Sequence, residues 1–350
     1  MKKRLQYYAA NCLFIWLSIW IFHSNRYYVN FLTHKTQTFL MFLGLFYTLL
    51  GLPYHILIPK RFVNESKGFL LVKALKKSWR LFYRNTVKPQ ADFVGSTAVK
   101  AKLSLDEKNI LLFSLVKFFF LPMMINFLIG NFSDMDTAYK NWKNSGHLVS
   151  IYGFNNFIYP LLISLFLLID TAYFLFGYSV EAKALKNRVR SVEPTFIGWL
   201  VALVCYPPFN GVLGNYVNWY QDDYRTLGSE SATSALRIFA LVFWLIYISA
   251  SIALGAKCSN LTNRGIVSRG PYAIIRHPAY IAKNIAWWTT VIPLLFHTTF
   301  MQSLIIISCT SIWTFIYFMR AITEERHLLL DPDYREYCKK VPYRFIPGVY

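Results

Sequence analysis

Apolar runs long enough to cross a lipid bilayer recur from one end of this chain to the other. They fall near residues 9–22, 38–58, 109–132, 148–176, 195–213, 234–254, 280–296 and 301–319, eight in all. A crossing helix needs about 17–25 mostly apolar residues. Lipid offers an open backbone no hydrogen-bond partner, so each run is expected as a helix. The first and seventh are short and are expected to be tilted, kinked or partly re-entrant, and Pro207 and Pro208 are expected to break the fifth, making room for a lipid-like acceptor or relieving packing. Charged residues make up 15% of the chain and aromatic ones 18%, whereas soluble domains carry about 25% charge. The expected fold class is therefore all-α: a polytopic membrane protein of about eight transmembrane helices.

Charge placement then orients the spans. The net charge of +20 would suggest a nucleic-acid partner in a soluble protein. Here the basic residues gather between apolar runs, as they do in cytoplasmic loops, and no compact basic domain interleaved with aromatics is present. Residues 60–108 hold twelve Lys/Arg against four Asp/Glu, and residues 177–194 hold Lys183, Lys186, Arg188 and Arg190. The alternate loops are poor in basic residues: 133–147 is balanced, and 215–232 is net acidic with Asp222, Asp223 and Glu230. Eight spans with Lys2, Lys3 and Arg4 inside satisfy every loop at once and put both termini in the cytoplasm. The basic start imitates a signal peptide, but Phe22-His23-Ser24-Asn25-Arg26 is a poor cleavage site, so a retained signal anchor is expected.

Within the long basic loop, Phe69, Val72, Leu75, Trp79 and Phe82 recur at helical steps with Lys73, Lys76, Lys77, Arg80 and Arg84 between them. This amphipathic segment suits anionic lipid headgroups, or a helix packed on the protein's own cytoplasmic face. The five cysteines form no CxxC pair and the seven histidines no ligand spacing, so free thiols and no metal are expected.

Special residues concentrate in two places. The first is the stretch 263–280, containing Gly270-Pro271-Tyr272 and Arg276-His277-Pro278-Ala279-Tyr280. Gly-Pro is turn chemistry, and Pro278 suits the first turn of a following helix. His277 then lies at a helix N-terminus, which favours a carboxylate or phosphate, and Arg269 and Arg276 add donors for such a group. The second is the stretch 320–337, with Arg320, Glu324, Glu325, Leu328, Tyr334 and Tyr337. There Asp331-Pro332 is an N-cap followed by a first-turn proline, so a short terminal helix is expected.

Together the two blocks resemble the isoprenylcysteine carboxyl methyltransferases and their phospholipid-methyltransferase relatives. In those, a GPY…RHPxY turn and a later EExxL…Y..Y…VP tail flank a helical hairpin; here the tail ends in Val341-Pro342. The resemblance covers about the last quarter of the chain. It implies S-adenosylmethionine, held by Tyr272, Arg276, His277, Pro278, Tyr280, Glu324, Glu325 and Leu328 on the cytoplasmic side. His277 and the helix N-terminus would meet the cofactor's carboxylate, the tyrosines or Leu328 its adenine, and Glu324 or Glu325 its ribose. Arg320 and Glu324 are the expected catalytic pair, with Arg320 orienting an acceptor carboxylate. Lys283 stands where the family often has a glycine, and suits a negatively charged acceptor.

The expected function is thus methyl transfer to a lipophilic or small amphipathic acceptor at a carboxylate, thiol or amine. Two alternatives remain. One is a sterol-reductase-like enzyme using NADPH, whose RHxNY pattern has Asn near where Pro278-Ala279 stands. The other is a non-enzymatic transporter or scaffold, which would place more polar residues in the spans than Lys117 and Asp170. The expected organisation is a membrane region at 1–194 and a methyltransferase-like domain at 195–350. A bacterial inner membrane, or another plasma or endomembrane, is the expected location.

Overall fold

A computed structural model describes residues 1–57, 66–86, 102–147 and 149–349. The end of the second apolar run at Ile58, Leu148 at the start of the fourth, and much of the basic loop lie outside the described residues. The chain divides into two compact units, Met1–Asn126 and Phe127–Tyr350. The division falls inside a helix, and the boundary expected at 194/195 lies within the second unit.

The fold is all-α and polytopic. Among the described residues, six helices are long and apolar enough to cross a membrane. The first unit contains α1 (Lys2–Ser24), α2 (Arg26–Phe31), α3 (His34–Leu57), α4 (Lys67–Thr86) and the first half of α5 (Leu105–Asn144). At 40 residues α5 is about 60 Å long, twice the roughly 30 Å of hydrocarbon it must cross, so its ends stand clear of lipid. Helices α1 and α3 are tied by Trp16 Nε1 to Thr48 Oγ1 at 2.9 Å and by the Tyr8 hydroxyl to the Thr48 carbonyl at 2.7 Å. The amphipathic segment forms α4. Its Ala74 is buried, while Leu75, Trp79, Phe82 and Tyr83 are exposed.

The second unit contains the rest of α5, then α6 (Ile151–Gly153), a π turn (Phe154–Ile158) and α7 (Tyr159–Ser179), which together make one 29-residue apolar span. There follow α8 (Phe196–Leu203), α9 (Phe209–Gly214), α10 (Glu230–Leu254), α11 (Pro278–Leu295), α12 (Phe300–Leu328) and α13 (Pro332–Lys340). Its core is formed by α7, α10 and α11 around Tyr159, Ile163, Trp244 and Ile248. Ala282 and Ala286, one turn apart on α11, are buried there. Small residues let neighbouring helices approach closely in lipid.

The break expected at Pro207 and Pro208 is present. Residues 195–213 do not form a continuous helix: α8 and α9, of eight and six residues, are separated by Val204–Pro208. Prolines at 207 and 208 deny the helix its backbone donors there. The segment nevertheless runs from one end of the unit to the other. Glu193 lies beside His327 at the C-terminal end of α12, while the Asp222 amide donates to Thr290 near the far end of α11. The seventh run, α11, is a full helix of 18 residues interrupted only by Pro293.

Two loops meet at the end of the second unit where α7 and α10 stop and α11 starts. Strand β1 (Ser191–Val192) pairs antiparallel with β2 (Thr262–Asn263). Buried Asn187 donates to the carbonyls of Val180 and Ala256, and Arg264 donates back to the Asn187 carbonyl at 2.9 Å. Gly177 is required at this junction, because a Cβ there would sit 1.8 Å from the Cys258 carbonyl oxygen.

Candidate functional site

The two blocks of special residues fold onto each other at this end of the second unit. Gly270 adopts φ +60°, which glycine tolerates without a Cβ clash, and opens the short 3-10 turn Gly270–Ala273. The turn ends at His277, which caps α11, with Pro278 at its first position. The C-terminal tail lies alongside: the amides of Arg276 and His277 donate to the carbonyls of Tyr343 and Arg344 at 3.0 and 2.9 Å. Terminal helix α13 starts as expected, with the Asp331 side chain accepting from the Asp333 amide. Tyr334 and Tyr337 share its buried face, and the Tyr337 hydroxyl reaches the Tyr272 carbonyl at 2.7 Å.

The two glutamates, alike in sequence, have different surroundings. Glu325 is 3% exposed and accepts from Arg276 Nε through one oxygen and Arg344 Nε through the other, both at 2.6 Å. It clamps the turn, α12 and the tail together, and its acceptors face protein. Glu324, by contrast, accepts from the Tyr280 hydroxyl at 2.7 Å and lines two cavities.

The outer cleft spans about 600 Å³ counting its mouth and is lined by Tyr272, Arg276, His277, Glu324, Leu328 and Tyr337 among others. The inner cavity spans about 450 Å³ and is lined by Tyr280, Arg320, Glu324, Leu328, Asn260 and Glu193 among others. Ser259, Thr262, Glu324 and Leu328 line both and so form the wall between them. The residues singled out in sequence thus fall into three groups. Tyr272, Arg276 and His277 face the outer cleft, Tyr280 and Arg320 face the inner cavity, and Pro278 and Glu325 are framework.

His277 is buried, with its ring stacked on Tyr280 at 5.6 Å and an interplanar angle of 9°. Its Nε2 lies 3.3 Å from Glu325 but is not aligned to donate to it. Arg320 is 7% exposed, donates to Asn260 Oδ1 at 3.0 Å, and lies over the rings of Tyr280, Tyr317 and Tyr206. Burial pushes the Tyr272 phenol well above its usual range. Burial acts the same way on Asp331, but hydrogen bonds from Arg190 and Asn263 outweigh it and hold that carboxyl below its ordinary value.

Sequence reasoning missed Glu193 and Asn260. Glu193 is 2% exposed and accepts from Arg326 at 3.0 Å and from the Thr195 amide at 3.0 Å, while its second oxygen is without a hydrogen-bond partner. The available signal was one of two carboxylates, Glu181 and Glu193, in a loop otherwise rich in lysine and arginine. Asn260 donates to the hydroxyls of Tyr178 and Tyr206; nothing in its local sequence marks it.

These features define an integral membrane protein with a two-chambered polar site at one end of a helical unit. Residues 224–341 match the family described as a protein of unknown function, DUF1295. That segment holds both blocks and the hairpin α11–α12 between them. No curated protein and no solved structure matches the chain.

Proposed function

We propose that the chain is an S-adenosylmethionine-dependent methyltransferase of the membrane, acting on a lipophilic or small amphipathic acceptor. The observation that carries the reading is the shared wall. Glu324 and Leu328 border both an outer cleft with cofactor-type lining and an inner cavity reaching Arg320. The outer residues suit the cofactor: His277 and Arg276 at a helix N-terminus for its carboxylate, Tyr272 and Leu328 for adenine, Glu324 for ribose. Bound there, the cofactor supplies an electrophilic methyl group. The chain's own part is to position the acceptor in line and exclude water. Arg320 orients the acceptor's polar group, and the Tyr280 hydroxyl fixes the Glu324 carboxylate.

The orientation follows from charge. Lys183, Lys186, Arg188, Arg190 and Lys257 gather at the site's end, while Asp222, Asp223 and Glu230 lie at the other. This asymmetry supports a site facing the cytoplasm, within a bacterial inner membrane or another plasma or endomembrane.

A second reading has an observation in its favour. The outer cleft is also lined by Lys257 and Arg264, and with Arg276 these make three cations around one carboxylate, which suits the phosphates of NADPH. Titration of the detergent-solubilised protein with each cofactor separates the two. S-adenosylmethionine is expected to bind at micromolar concentration, with H277A and E324Q weakening it about tenfold, a difference of about 1.4 kcal/mol. NADPH binding without S-adenosylmethionine binding would replace the methyltransferase with a reductase.

A further inference from the structure

Two cations close to the candidate site lie within the apolar body of the second unit, and neither has a carboxylate within ion-pair distance among the described residues. One is Arg320, on the inner cavity. The other is Lys283, on the second turn of α11, whose ammonium lies over the rings of Tyr247, Trp287 and Tyr317 at 5.2, 5.0 and 5.9 Å. The Tyr317 ring joins them, since the Arg320 guanidinium lies 5.1 Å from the same centroid.

A lysine this close to a helix end usually extends toward the nearer aqueous boundary. Lys283 does the reverse. Trp287 is one turn deeper on α11, Tyr247 is seven residues inside the end of α10, and Tyr317 is eleven residues inside the end of α12. At 1.5 Å per residue its ammonium is held about 10–16 Å inward from the site's end. The carboxylate on the facing helix, Asp170, has each oxygen engaged by a hydroxyl: Tyr247 at 2.8 Å and Ser251 at 2.5 Å. Asp170 and Asp223 act on the ammonium only from beyond ion-pair distance; a cation enclosed without a paired anion is costly, and ionisable groups inside membrane proteins mark binding sites and pathways. Aromatic faces lower the cost of the charge but supply no oxyanion.

We infer that Lys283 and Arg320 form a binding site for the oxyanion of a lipophilic molecule, whose chain lies in the apolar body of the unit. The inference rests on the methyltransferase reading only in making that molecule the methyl acceptor. The acceptor is then an anionic amphiphile, held by a charge inside the helical unit rather than at its rim. Lys283 is a positioning and specificity residue, touching the acceptor's charged group.

The test uses the full chain in nanodiscs with radiolabelled oleate as probe, and oleyl phosphate and oleyl alcohol as competitors. Oleate is expected to be displaced by oleyl phosphate and at least tenfold less well by oleyl alcohol; the stronger of the two anions shows whether a carboxylate or a phosphate is preferred. K283M is expected to lower oleate affinity at least tenfold and K283R to restore most of it, with S-adenosylmethionine affinity unchanged in both. Equal competition by the alcohol on the unaltered protein overturns the inference, and so does a folded K283M that binds oleate normally. If oleate binding depends on Lys283 while S-adenosylmethionine fails to bind, the oxyanion site stands and the methyltransferase reading falls.

Discussion

The two units bury their helices to different degrees. In the first, the most apolar windows of α1 and α3 are 22% and 17% buried; in the second, those of α10 and α12 are both 39% buried. Polar chemistry divides in the same way. Apart from Arg4, which donates to the Ile56 carbonyl at 2.6 Å at the helix ends, the links between α1 and α3 are neutral hydrogen bonds such as Trp16 to Thr48 and Asn11 to Tyr47. The second unit encloses Asp170, Arg237, Arg320 and Glu325, all 9% exposed or less. A helix pair left mostly to lipid needs only apolar surface and a few close contacts to stay paired. Charges kept inside a membrane unit are costly and persist where they serve a site. On the proposed function, the contrast makes the first unit an anchor and the second the seat of the chemistry.

The largest expected effect is on the Glu325 clamp. E325A leaves Arg276, and in part Arg344, as cations without their carboxylate, and breaking a buried pair this way costs about 3–5 kcal/mol. Thermal unfolding in detergent should show a large loss of stability, and limited proteolysis should cut the tail near Arg344. The tail strand along Arg276 and His277 depends on that carboxylate, so an unchanged digestion pattern would mean the tail is held by something else. Next comes G177A. A methyl group 1.8 Å from the Cys258 carbonyl forces α7 away from the loop after α10, an overpacking of about 1–3 kcal/mol. G130A, where an added methyl meets nothing within 4 Å, is the control and should lose little.

Much of this was legible in the sequence, for identifiable reasons. Hydropathy located the long helices because lipid makes apolar length nearly sufficient for a span. Asp331-Pro332 marked α13 because a cap and a first-turn proline act locally. The break in 195–213 was marked by Pro207 and Pro208; what failed was the pairing of Glu324 with Glu325. Adjacent residues on a helix point about 100° apart, so only one of the two could face the cavities. Which one was decided by Arg276, 49 residues earlier, and by Arg344, 19 later. Lys283 stood out in sequence as unexpected; its aromatic collar comes from three helices and no local pattern reveals it.

A smaller effect is expected at Asp331, whose folded pKa is depressed. A depressed carboxyl contributes stability above its unfolded value, near 3.9, and loses it as pH falls through the folded value. The contribution is therefore present throughout neutral pH and disappears only in strong acid. The bond to Arg190 is partly exposed, so D331N should cost about 0.5–1 kcal/mol at pH 7, and less at pH 3. A D331N penalty that grew on acidification would show that the carboxylate is not what Arg190 and Asn263 hold.

The smallest effect tests the first unit. W16F removes the indole donor to Thr48 and keeps an aromatic ring between α1 and α3. Hydrogen bonds between helices inside membrane proteins average about 0.6 kcal/mol, since the unfolded chain in lipid also finds partners. If the first unit is mainly an anchor, W16F should shift its unfolding slightly and leave cofactor binding at Glu324 unchanged. A loss of cofactor affinity in W16F, with the protein still folded, would break the division of labour. It would require the α1–α3 pair to control the geometry of a site none of whose lining residues it supplies.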